Sequence, residues 1–377
     1  MIERVISKNI QEKFFKGKAI LIIGPHQTGK TTLLKQITVE YENDVLWLNG
    51  DESDVREMLA KPTSTRLKGI IGNKRIVVID EAQRIENIGL TLKLMVDNIL
   101  DIQIIVTGSS AIDLTDSIKE PLTGRKYEYH LYPFSFEEMA GHTSSMEENR
   151  LLEQRMIYGY YPEVVNKPGE EKEVLRLISE GYLYKDIFMM AQIKKPVILE
   201  KLVLALALQL GSEVSYNELG QIIGSDKETL ERYIDLLEKT FVVFRLPSLA
   251  RNMRNEIKKG RKIYFYDNGI RNAIIKNFNP LALRQDTGAL WENFIISERK
   301  KRNDYSGVWC NRYFWRTITQ QEIDYIEEMD GKFTGYEFKW GRGKQKAPQS
   351  FLDGYPGSEV KFITRENYIE FVTTGEV

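Results

Sequence analysis

Three side chains near the C-terminal end have the types and spacing for metal-assisted phosphodiester chemistry. Asp324 precedes Glu337 by thirteen positions, and Lys339 follows Glu337 by two. The run Glu322-Ile323-Asp324-Tyr325-Ile326 alternates polar and apolar residues. So does Tyr336-Glu337-Phe338-Lys339-Trp340, with Asp330-Gly331-Lys332 as a turn between the two runs. Period-two alternation around a short turn predicts a hairpin. Asp324 then lies on one arm, and Glu337 and Lys339 share a face of the other. Two carboxylates offer the hard oxygens that magnesium takes, and an ammonium beside them can orient or activate an attacking water.

A second constellation lies at the opposite end. Gly24-Pro25-His26-Gln27-Thr28-Gly29-Lys30-Thr31 fits G-x-x-x-x-G-K-[ST] at every position. Backbone N–H groups of such a loop approach phosphates closely, the lysine reaches the β- and γ-phosphates, and the Thr31 hydroxyl meets magnesium. Gly24, Gln27, Thr28, Gly29, Lys30, Thr31 and Thr32 are the candidate ATP-binding residues. Arg75-Ile76-Val77-Val78-Ile79-Asp80-Glu81 is an apolar run capped by two acids. In that pattern Asp80 holds magnesium through water and Glu81 polarises the attacking water. A third run, Ile102 to Val106, ends in Thr107-Gly108-Ser109-Ser110. Thr107 or Ser109 is placed there to sense the γ-phosphate; a plain turn is the alternative.

The elements that must position these groups follow from the pattern. Ala19-Ile20-Leu21-Ile22-Ile23 is continuously apolar, as in a parallel strand buried on both faces, and a helix continues from Thr32. Strand, helix, strand alternation predicts an α/β, three-layer parallel sheet. The stretch from Pro133 through Asn149 marks a domain edge, so residues 1–140 form the first domain. From 150 to 285 the pattern is helical, then helix, turn, helix and two strands between Ser212 and Asp267, which suggests a winged helix. Its second helix carries Asp226, Glu228, Glu231, Asp235 and Glu238 against Lys227, Arg232 and Lys239. Such a helix suits packing better than a phosphate-lined groove. Between the two strands, Arg251, Arg254, Lys258, Lys259, Arg261 and Lys262 face only Glu256. That run reads either as a solvated loop or as a contact to a nucleic-acid backbone. Residues 286–377 form the third domain, opened by a helix over Gly288 to Glu298. Arg299-Lys300-Lys301-Arg302 is a further basic run.

Bulk properties narrow the classes. The 377 residues allow two or three domains with a sizeable core, and 42% are hydrophobic. Lys and Arg total 53 against 54 Asp and Glu, a formal net charge of -1. Any basic surface is therefore local. The single cysteine, Cys310, excludes an internal disulfide and a cysteine zinc cluster and fits a cytoplasmic setting. Met1-Ile2-Glu3-Arg4 has no signal-peptide pattern, and the longest apolar runs are too short to span a bilayer.

Taken in order, Gly-Pro-x-x-x-Gly-Lys-Thr-Thr-Leu-Leu, Ile-Asp-Glu-Ala-Gln, Val-Thr-Gly-Ser-Ser, Leu-Thr-Gly-Arg and Leu-Tyr-Pro-Phe-Ser-Phe-Glu-Glu give the chain its kinship. It resembles prokaryotic AAA-superfamily ATPases that carry a C-terminal domain of unknown function with a restriction-endonuclease-like, PD-(D/E)xK core. The resemblance covers almost the whole chain. It implies ATP and magnesium as cofactors, nucleotide-dependent homo-oligomerisation, and DNA as a partner contacted through its backbone, duplex or branched. It also implies a phosphate role for Arg125, since AAA-type ATPases often place an arginine there against a neighbour's γ-phosphate. Restriction-endonuclease-like folds set a helical glutamate beside the metal. Glu292 and Glu298 are six residues apart, roughly 240° round a helix, so only one can do this, and Glu292 is the choice. The metal set is then Glu292, Asp324 and Glu337, with Lys339 catalytic. A different class of function stays open: a nucleotide-dependent regulatory switch that binds a protein, with the C-terminal domain as a non-catalytic docking module.

Overall fold

The computed structural model describes residues 2–108, 121–181, 195–250, 260–317, 319–341 and 346–375. They divide into two compact units, one of Glu3–Pro133 with Lys239–Phe241, the other of Phe134–Glu238 with Val242–Val377. The second unit contains both the region 150–285 and the region 286–377.

The first unit is built on a parallel sheet of β1 (Ala19–Ile23), β2 (Val45–Asn49), β3 (Ile76–Asp80), β4 (Gln103–Gly108) and β5 (Lys126–His130) in the order β2-β3-β4-β1-β5. Every pairing is parallel. All five residues of β1 and all six of β4 are buried. That burial is why these strands read as unbroken apolar runs rather than alternating ones. Strand β4 lies between β1 and β3, with Ile22 beside Thr107 and Ile79 beside Val106. The C-terminal ends of the three strands therefore meet, at the position where open parallel sheets gather their ligands.

The second unit holds two sheets. A helix Pro196–Leu208, β6 (Glu213–Val214), helices Tyr216–Ile223 and Lys227–Lys239, β7 (Val243–Pro247) and β8 (Arg261–Phe265) follow one another. Their strands form an antiparallel sheet ordered β6-β8-β7. The acidic helix packs, as its charges require: Leu230, Tyr233, Ile234, Leu236 and Leu237 are buried, while Asp235 and Glu238 hold Arg245 of β7.

A 19-residue helix, Thr287–Tyr305, then leads to β9 (Asn311–Arg316), β10 (Glu322–Met329), β11 (Lys332–Phe338), a helix Gln349–Gly354 and β12 (Glu359–Ile363). The sheet order is β12-β11-β10-β9; the first three strands are antiparallel and β12 runs parallel to β11. The predicted hairpin is present. Asp330 and Gly331 both have positive φ, 50° and 77°, the tight turn that an Asp-Gly pair favours. Leu249 donates its N–H to Phe314 O at 2.7 Å, which ties the two sheets of this unit together.

The basic run Arg299 to Arg302 is not a surface patch. It lies inside the long helix, where Arg299 pairs with Glu327 at 2.7 Å and Lys300 with Asp304 at 2.9 Å. Lys301 and Glu298, both nearly fully buried, pair at 2.7 Å.

Close to the start of that helix, Asp286 accepts from two buried guanidiniums, Arg271 at 2.5 Å and Arg284 at 2.8 Å. Burial by itself would raise the Asp286 carboxyl; hydrogen bonds from Arg284 and Arg271 outweigh it and bring it down to about 2. A depressed carboxyl contributes stability that is present above its unfolded value, about 4, and lost as pH falls through the folded one. Asp286→Asn leaves two buried cations without their counter-charge and should cost roughly 3–5 kcal/mol at pH 7. In acid titrations followed by circular dichroism, the gap between wild type and this variant should close as pH falls from about 4 towards 2. A gap independent of pH would show that the ion pairs do not carry the stability.

Candidate functional site

The glycines of the first loop are dictated by backbone geometry. A Cβ on Gly24 would lie 2.0 Å from Leu131 O, and Gly29 has φ +88° where the chain turns into the helix Lys30–Ile37. Gln27 is also left-handed, φ 62°. The Thr28 hydroxyl closes the loop on Pro25 O at 2.8 Å. Lys30 is buried, and its ammonium donates to Gly24 O at 2.9 Å and Pro25 O at 3.1 Å. Burial lowers its pKa, with Glu81 and Asp80 opposing. Thr31 and Thr32 stand exposed on the first turn of the helix.

The second motif meets the first through one short contact. Thr31 Oγ1 donates to Asp80 Oδ2 at 2.6 Å. Thr107 Oγ1 donates to Asp80 Oδ1 and accepts the Glu81 N–H at 3.1 Å. Glu81 itself is left-handed, φ 50°, a conformation that costs a non-glycine residue strain and marks a fixed position. Gln83 Nε2 donates to its carboxylate at 2.6 Å. The structure thus places Thr107 against the acids rather than at the end of an open turn. Ser109 lies outside the described residues. Arg125 is ion-paired within its own unit, Nε to Asp97 Oδ1 at 2.6 Å. Gln83 is the last residue of the Ile-Asp-Glu-Ala-Gln motif, which was the available signal for it. The donors here suit magnesium: Thr31 and Asp80 are two hard oxygens side by side at the phosphate end of the sheet.

The C-terminal constellation is assembled differently from the expected one. Continuing the register of Tyr325 beside Tyr336 sets Asp324 opposite Glu337, and Asp324 Oδ2 accepts the Phe338 N–H at 2.8 Å. Lys339 pairs with Glu337 at 2.7 Å. Glu292 faces the same group of acids, whereas Glu298 points elsewhere and accepts the Phe136 N–H at 2.7 Å. Three further residues join. Lys262 of β8 reaches Glu292 Oε1 at 3.0 Å and Glu322 Oε1 at 2.6 Å, and Tyr264 donates to Glu292 Oε1 at 2.5 Å.

The electrostatics follow from burial. The Glu292 carboxyl is pushed up to about 7 by desolvation, against the pull of Lys262. Asp324 and Glu337 are raised for the same reason, and Lys262 and Lys339 respectively oppose the rise. Burial would lower Lys262, but Glu292, Asp324 and Glu322 outweigh it and hold the ammonium above its ordinary value.

Glu292, Asp324 and Glu337 come into one neighbourhood, with the Lys262 ammonium on Glu292 and the Lys339 ammonium on Glu337. Among the described residues no group of three or more His, Cys, Asp or Glu is arranged to hold a metal ion. The basic run at 251–262 also divides. Arg251, Arg254, Lys258 and Lys259 lie outside the described residues. Arg261 and Lys262 belong to β8, where Arg261 pairs with Glu231 at 3.2 Å and Lys262 is buried. The period-two spacing of Lys262 and Tyr264 was the available signal.

Comparison with known proteins agrees with the first unit. Residues 16–140 match the AAA domain family. Residues 149–281 and 287–370 match two domains of unknown function, DUF8612 and DUF4143. An uncharacterized protein of Mycobacterium tuberculosis is 26% identical over 351 residues, covering 89% of this chain and 73% of the relative. A replication factor C large subunit of Methanococcus maripaludis is 35% identical over 68 residues, 18% of this chain and 14% of its own. Among solved structures, Cdc6p of Pyrobaculum aerophilum aligns with 73% of this chain and 94% of its own at 13% identity and a TM-score of 0.30. No helix among the described residues is long and apolar enough to cross a membrane. Residues 16–140 are an AAA ATPase-like domain.

Thr107 supplies two hydrogen bonds to the acids and none to the loop. Thr107→Val, near in shape, should leave ATP binding within about twofold and slow hydrolysis roughly ten- to a hundredfold, from the ~1.5–3 kcal/mol of a hydrogen bond to a charged group. Thr107→Ser should recover most of it. Equal losses of binding and turnover in Thr107→Val would make the residue merely structural.

Proposed function

We propose that this chain is an ATP-hydrolysing, AAA-type protein that binds DNA and couples its nucleotide state to assembly there. The observation that carries the reading is the contact of Thr31, Asp80, Thr107 and Glu81 at the ends of β1, β3 and β4. ATP phosphates would lie along the 24–31 loop. Lys30 would exchange its two loop carbonyls for phosphate oxygens, a move that costs one buried ammonium little because charge replaces dipole. Thr31 and Asp80 would hold magnesium, which when bound neutralises phosphate charge. Glu81, fixed by Gln83 and Thr107, would orient the attacking water.

The DNA part rests on several lines. One relative is named for replication over the stretch it shares with this chain. The helix, strand, two helices and two strands from Pro196 to Phe265 have the connectivity of a winged helix. The helix, three antiparallel strands, helix and parallel strand from Thr287 to Ile363 have that of a restriction-endonuclease-like core. The ammoniums of Lys262 and Lys339 on the acids favour a second reading for that core, a docking module that binds without cutting. For Arg125 we propose a role in trans, on release from Asp97.

Glu81→Gln should keep ATP binding and lose hydrolysis by a hundredfold or more, on the order of 3 kcal/mol of transition-state stabilisation. In electrophoretic assays with duplex, single-stranded and branched DNA, the trapped variant should retain DNA more tightly with ATP than without. ATP-independent or absent retention of every form would leave the regulatory switch as the better reading. Mixing Arg125→Ala with Glu81→Gln should restore hydrolysis at shared interfaces; no rescue at any ratio would place Arg125 outside the site.

A further inference from the structure

We infer that Lys262 is a tethered cation standing where a divalent metal would sit, so that the C-terminal acid cluster is held closed and cleaves no phosphodiester while this lysine is present. The inference rests on the nuclease-like reading of residues 287–363 and concerns how that site is kept.

The position of the ammonium is over-determined. Lys262 is 3% exposed, with Glu322 at 2.6 Å and Glu292 at 3.0 Å. The Phe314 ring lies 5.5 Å from it on another side. Its backbone is paired in the middle of a sheet, beside Glu213 of β6 and Leu246 of β7. Asn293, next to Glu292 on the long helix, exchanges hydrogen bonds with both backbone groups of Phe265, at 2.8 and 3.0 Å. That clamp locks β8 to the helix in the register that aims Lys262 and Tyr264 at Glu292. A lysine placed by chance on a surface has no such framework.

Charge accounting gives the consequence. Glu292, Glu322 and Asp324 surround Lys262, and Glu337 is held separately by Lys339 at 2.7 Å. Magnesium needs near-octahedral oxygen ligands and gives up its own water reluctantly. It would have to expel an ammonium that is already desolvated and tethered at high effective concentration. The tethered ion therefore prevails over the free one. Removing its charge should turn the cluster into a cation site.

The test is manganese binding read by electron paramagnetic resonance, without nucleotide, on full-length protein carrying Asp80→Asn to silence the nucleotide domain. With Lys262 intact, no bound manganese should depend on Asp324. Lys262→Met keeps the aliphatic stem and should gain one manganese ion per chain, at least tenfold tighter, that Asp324→Asn abolishes. Lys262→Met with Glu322→Gln carries less unbalanced charge and serves if the single variant fails to fold. Asp324-dependent manganese in protein that retains Lys262 overturns the inference. So does no gain of manganese in either variant while its circular dichroism is native. DNA retention is scored separately on Glu81→Gln protein with ATP; its absence there overturns the DNA-linked reading, while the manganese titration continues to decide this one.

Discussion

Charge buried inside a protein must be met by opposite charge or by hydrogen bonds, and the helix Thr287–Tyr305 organises the second unit through that constraint. It is buried on most sides, and several of its polar residues claim partners on other elements. Glu292 takes Lys262 and Tyr264 of β8, and Asn293 takes the backbone of Phe265. Glu298 takes Lys301 and the Phe136 N–H. Arg299 and Asn303 share Glu327 of β10. Apolar contacts tolerate sliding; these pairs do not. A shift of the helix by one turn would break the contacts to Lys262, Tyr264, Phe265, Phe136 and Glu327 at once. The register of β8, the placement of β10 and the chain entry at Phe134 to Phe136 are therefore fixed by one helix.

The same constraint explains which parts of the molecule could be read from the sequence. The nucleotide loop was legible because a phosphate cradle is contiguous: its glycines, lysine and threonine must follow one another at fixed spacing. Strands β1, β3 and β4 were legible because burial on both faces leaves an apolar run. The Asp330-Gly331 turn was legible because that pair takes positive φ readily, and it set Asp324 opposite Glu337. The long helix was harder. With buried residues on most faces it has no clear amphipathic period, so its second half looked like the basic run Arg299 to Arg302. Lys262 was hidden in another basic run, since a cation's partner 30 or 60 positions away in sequence leaves no local trace. Helical geometry allows only one of Glu292 and Glu298 at the acids, the place of Glu292 beside Trp291 near the helix start favours it, and the structure separates the two. What each acid meets depended on tertiary contacts that no spacing encodes.

The two acidic sites therefore solve one electrostatic problem in opposite ways. In the first unit, the cation that would meet phosphate is held in reserve. Lys30 rests on the carbonyls of Gly24 and Pro25, neutral groups that a phosphate can outbid. Asp80 is shared between two hydroxyls, Thr31 and Thr107, which donate without adding charge. Such a site keeps its full negative charge available to a divalent ion. In the second unit, four carboxylates, Glu292, Glu322, Asp324 and Glu337, share two lysines, Lys262 and Lys339, so their charge is met in part before any metal arrives. A carboxylate that donors merely orient remains a ligand, whereas one already paired with a buried ammonium has given up most of what it could offer a metal. In the C-terminal sheet the acids already have partners, Lys262 on Glu292 and Glu322 and Lys339 on Glu337, so a cation arriving there must compete with ammoniums rather than with hydroxyls.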